Sequence, residues 1–101
     1  MLLLTDLDPR WASEGEGRHG MAVSFLCPVH RDHRLVVPFS VPLDGGPAMV
    51  GADFLWERKG DGFIDLTLGP SIDASGTRFY DNIKTPCWHG FITGGVVSGV
   101  K

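Results

Sequence analysis

Two short clusters hold the residues whose types and spacing suit coordination chemistry: Cys27-Pro28-Val29-His30 and Cys87-Trp88-His89. They contain both cysteines of the chain and two of its four histidines. A structural zinc site takes four soft or borderline donors in a tetrahedron, with thiolates at about 2.3 Å and imidazole nitrogens at about 2.0–2.1 Å. A Cys-x-x-His pair around a proline turn aims both side chains inward. A Cys-x-His pair on a strand shares one face, because residues two apart point the same way. Pro86 and Gly90 flank the second pair and let its backbone bend. Cys27, His30, Cys87 and His89 are therefore the expected zinc ligands, each pair ending a strand. Two other states of the cysteines stay open at this point, inert thiols or a disulfide. His33 competes with His30 for the same corner; His30 is preferred because Asp32-His33-Arg34 reads as a solvated charge run.

Two thiolates and two neutral imidazoles balance a Zn²⁺ ion and leave no position for water, which marks a structural metal. The reading therefore leans away from an enzyme. A zinc-dependent hydrolase is the alternative, but it needs a carboxylate beside the ion, and Asp53, Glu57, Asp65 and Asp73 have no spacing that ties them to it. Ser71, in Gly69-Pro70-Ser71-Ile72-Asp73, lacks the strand–turn–helix context and flanking glycines of a nucleophile elbow.

The net charge of −3 and pI near 5.7 argue against a polyanion binder. A nucleic-acid-binding zinc ribbon is a weaker alternative, since Arg31, Arg34 and Lys84 are the cations close to the clusters. Met1 to Leu4 is too short for a signal core or a membrane span, and Asp6 and Asp8 follow. The default expectation is a cytoplasmic protein with reduced thiols and no membrane partner.

The elements that must position these clusters are strands. At 101 residues the chain is read as one domain, 1–101, with a modest core that a metal would supplement. Gly 14 and Pro 7 favour many turns, and no helical periodicity appears. The fold expected is mostly β: a small antiparallel sheet-and-hairpin domain stapled by zinc, with little helix. Leu2–Leu4 reads as an edge strand and residues 6–20 as loop. Met21–Cys27 and Arg34–Phe39 alternate at period two, with Pro28–His33 as the corner between them. Val41–Gly51 is turn-rich. Asp53–Arg58 and Gly62–Leu68 flank Lys59-Gly60-Asp61 as a hairpin. Gly69–Thr85 reads as a connection with a brief strand at Arg78-Phe79-Tyr80. Trp88–Thr93 and Val96–Val100 form a hairpin around Gly94-Gly95.

Leu66-Thr67-Leu68-Gly69-Pro70-Ser71-Ile72 and Cys87-Trp88-His89-Gly90-Phe91-Ile92-Thr93-Gly94-Gly95-Val96 resemble the signature stretches of DUF6527, a family of small proteins frequent in bacteriophages and prophages. The resemblance runs from Phe25 onward. It implies a zinc-binding β fold with Cys27, His30, Cys87 and His89 at the ligand positions. Relatives often carry Cys-Pro-x-Cys where this chain has Cys27-Pro28-Val29-His30, which keeps a ligand. Gly69 replaces their usual Ser or Thr, which removes a hydroxyl. The resulting expectation is a protein-binding or accessory module of phage type, with Trp11, Phe79 and Tyr80 as surface apolar candidates for a protein partner.

Overall fold

Met21, Val23, Phe25 and Cys27 are all buried, at 2% exposure or less, and Ala22 and Ser24 between them are buried as well, as befits the central strand of a sheet. The computed structural model describes residues 1–13, 17–52, 54–73 and 88–99. Among these the strands are β1 (Leu2–Leu3), β2 (Arg10–Ala12), β3 (Ala22–Leu26), β4 (Arg34–Pro38), β5 (Glu57–Lys59), β6 (Thr67–Asp73), β7 (His89–Thr93) and β8 (Val96–Gly99). A single 3-10 turn, Leu4–Leu7, follows β1. No helix of the described residues is long and apolar enough to cross a membrane. The mostly-β expectation holds.

Two antiparallel sheets result, one in the order β1-β8-β7-β6-β5 and one in the order β2-β3-β4. Leu35, Val37 and Phe39 point inward from the β4 segment while Val36 is exposed. They meet Leu66, Leu68, Ile72, Trp88, Ile92 and Val97 of the larger sheet, with Leu4 and Leu7 filling the same core. Main-chain hydrogen bonds also stitch the sheets together: Trp56 donates to the Pro38 carbonyl and Ser40 to that of Trp56, both at 2.9 Å. Phe39 and Trp56 thus form a parallel bridge.

The β7–β8 hairpin follows the Gly-Gly signal. Gly94 and Gly95 have φ of 55° and 77°, the two positive values of a type I′ turn. Three expectations need correction. Residues 6–20, expected as loop, contain the end of the 3-10 turn and β2, which pairs with β3, and Trp11 stacks on Phe63 with ring centroids 4.3 Å apart. That contact also removes Trp11 from the exposed candidates. The β5–β6 connection is longer than an Asp-Gly hairpin. Asp65 accepts the Gly62 N–H through its own side chain, and pairing starts only at Lys59↔Thr67. Finally, β6 continues through Gly69–Asp73, where a connection was expected. Between the pairs Leu68↔Ile92 and Ile72↔Gly90, three residues of β6 face the single Phe91 of β7, so Gly69-Pro70-Ser71 forms a bulge. Phe79 and Tyr80 lie outside the described residues.

Candidate metal centre and a serine–histidine pair

Cys27 directly follows β3 with its side chain in the core, and the chain reverses after it. The Cys27 N–H donates to the His33 carbonyl and the Arg31 N–H to the Cys27 carbonyl, both at 2.9 Å. Pro28 supplies a fixed φ and no donor, which suits the first position of such a turn. Arg31 takes a left-handed φ of 60°, and this reversal carries the chain back into β4.

The corner gathers three donors. Cys27 Sγ lies 3.8 Å from His30 Nδ1. Two ligands at tetrahedral zinc distances sit about 3.6 Å apart for S and N, so this spacing fits one shared ion. His33 completes the group: the donor atoms of Cys27, His30 and His33 all lie within 4.8 Å of one another. The expectation of a solvated charge run at Asp32-His33-Arg34 holds for Asp32, whose side chain is 58% exposed, but not for the other two. The His33 side chain is 17% exposed and that of Arg34 28%. Arg34 is drawn in by Ser24, whose hydroxyl accepts its Nε–H at 2.7 Å, and by the carboxylate of Asp8. His33 is held by Asp32, with Nδ1 and Oδ1 2.9 Å apart.

Of the four ligands expected, Cys27 and His30 are brought together. Cys87 lies outside the described residues. His89 is not in the group; its Nε2 is 3.3 Å from the hydroxyl of Ser71. That pair arises from the bulge. Ser71 returns from it one residue before Ile72 pairs with Gly90, and Asp73 is the register partner of His89. The Ser71 carbonyl accepts the Trp56 indole N–H at 3.3 Å, which fixes the backbone on which the hydroxyl sits. Ser71 sits in no nucleophile elbow, so no motif marks it in the sequence. The pairing of Ile72 and Asp73 with Gly90 and His89 creates this contact, and Gly69 and Pro70 hide that pairing in the sequence.

Trp88 is packed into the core, 4% exposed and edge-on to Phe25, with ring centroids 6.0 Å apart. Glu57 and Asp65 are exposed, and Asp53 lies outside the described residues. Asp32 places a carboxylate within hydrogen-bond distance of His33, one of the three grouped donors. No protein-family model, no curated protein and no solved structure matches the chain.

Proposed function

We propose that this chain is a small β module whose β3–β4 corner holds a structural Zn²⁺ ion and which works by contact with a protein partner. The observation that supports it is the Cys27 Sγ to His30 Nδ1 spacing of 3.8 Å in a corner closed by its own main chain. A thiolate with imidazole is a donor set that suits zinc. The ion would tie the end of β3 to the loop entering β4. Elemental analysis of purified protein should give one zinc per chain, and Cys27→Ser should remove it. A metal-free native protein, or a Cys27–Cys87 disulfide in it, would refute the proposal.

A second reading, acyl-transfer hydrolysis, is favoured by the Ser71–His89 pair. A hydroxyl 3.3 Å from an imidazole nitrogen is the arrangement of an activated nucleophile before substrate arrives. The two stretches that carry the family resemblance also converge on it. Here Ser71 Oγ would attack a carbonyl carbon while its proton passes to His89 Nε2. The imidazolium would return that proton to the leaving group, and water, deprotonated by His89, would hydrolyse the acyl ester. A fluorophosphonate probe should then label the wild type at Ser71 and leave Ser71→Ala untouched. Absence of labelling of the folded wild type would remove this reading.

A further inference from the structure

We propose that the third metal ligand is His33 in place of His89, and that Asp32 is the residue that positions it. This inference rests on the zinc reading above and changes its ligand set. The donors Cys27, His30 and His33 lie within 4.8 Å of one another, whereas His89 is turned to Ser71. The two imidazole rings of the corner are 5.8 Å apart between centroids.

Asp32 gives the geometry its chemistry. Its Oδ1 is 2.9 Å from His33 Nδ1, so the carboxylate accepts the proton on that nitrogen. The ring is then held in the tautomer whose Nε2 carries the lone pair, the form that ligates. A carboxylate behind a ligating imidazole fixes its orientation and raises its basicity. The main-chain bond from Cys27 N–H to the His33 carbonyl sets the distance between the two ends of the corner. Cys27, His30 and His33 fall at every third residue of one tight reversal, so three donors assemble with the closure of only a short loop.

The test uses the full chain. Wild-type protein loaded with ¹¹³Cd should show scalar coupling from the metal to ring protons of His30 and His33 and none to those of His89. This needs no variant. With zinc, His89→Ala should keep one ion per chain with affinity within about threefold, while His33→Ala should weaken binding at least 100-fold. Asp32→Asn should weaken it about 10–100-fold, the range for residues that orient a ligand, and leave the cobalt-loaded visible spectrum unchanged. Asp32→Glu should recover part of that loss, which a merely structural role would not predict. Coupling to His89, or zinc retained in folded His33→Ala and lost in His89→Ala, overturns the inference while leaving the zinc reading intact. A wild type that binds neither metal overturns both.

Discussion

The indole Nε1 of Trp88 donates to the Ser98 carbonyl at 3.2 Å, and the ring reaches it by lying across Gly90. A Cβ at Gly90 would stand 1.9 Å from that carbonyl and 2.6 Å from Nε1. The glycine is needed for space. Gly90→Ala should lower stability by about 1–3 kcal/mol or more, as overpacking in a core does. Urea denaturation would measure it; a change below about 0.5 kcal/mol would mean the indole has somewhere else to go.

Asp44 and Arg18 clasp the 41–51 loop to the approach of β3. Asp44 accepts from Arg18 Nε at 2.7 Å and from the backbone N–H groups of Gly46 and His19. The Arg18 hydrogen bond first, then those two N–H groups, hold the Asp44 carboxyl well below its ordinary value of 3.8. A depressed folded-state value stabilises the fold above the unfolded value, and the benefit declines as pH falls through and below it. Asp44→Asn should therefore lower Tm at neutral pH, and the gap from wild type should shrink as pH drops below about 4. A gap that stays constant with pH would place the effect elsewhere.

Arg31 is the non-glycine residue that the β3–β4 corner holds at positive φ. Left-handed backbone costs an L-residue roughly 1–2 kcal/mol, and its side chain returns little, one bond of 3.3 Å to the Pro28 carbonyl. Arg31→Gly should keep or raise stability, by up to about 1 kcal/mol. Arg31→Val should lower both stability and zinc affinity, because a β-branched side chain resists that region. The pair can be compared by thermal melts with and without zinc. Equal behaviour of the two variants would show that the corner relaxes.

Removing the metal should act on the whole domain. Cys27 is fully buried in the core beside Phe25 and Leu35, so a loosened corner disturbs the packing of β3 and β4 together. A strong chelator at neutral pH should lower Tm by about 10 °C or more. Acid should do the same, because thiol and imidazole must lose protons to bind. If the ion leaves and the melting curve stays where it was, the site is not structural.

The strands that alternate cleanly, Met21–Cys27 and Arg34–Phe39, were legible because each has one face in the core, and Gly94-Gly95 because only a primed turn uses two such residues. Residues 10–12 were not legible. Arg10-Trp11-Ala12 carries no alternation, and its strand is made by pairing with Ser24, Val23 and Ala22. Nor was the extension of β6 legible, since Gly69 and Pro70 break every local rule for a strand interior and are tolerated only as a bulge. At the corner, Cys27 and His30 could be read from spacing. His33 could be read only as a competitor of His30, since its shielding depends on Asp32 and on a main-chain bond to Cys27. His89 could be placed on a strand, but which face neighbour it meets depends on the register shift in β6.

Leu2 of β1 pairs with Val97 of β8, residues 95 positions apart. Pairings of such separation form late, because the chain must close a very long loop before the contact offers any return. A ribosome-bound chain can complete β2-β3-β4 while β1 still waits for its neighbour to be synthesised. Until then Leu4 and Leu7, which the Leu4 N–H to Gly95 carbonyl bond later anchors, have no larger sheet to pack on. Folding should accordingly be slow for a domain of this size, with amides of the three-stranded sheet protected before those of β8. The early half of the protein is also the half that gathers Cys27, His30 and His33 in one corner.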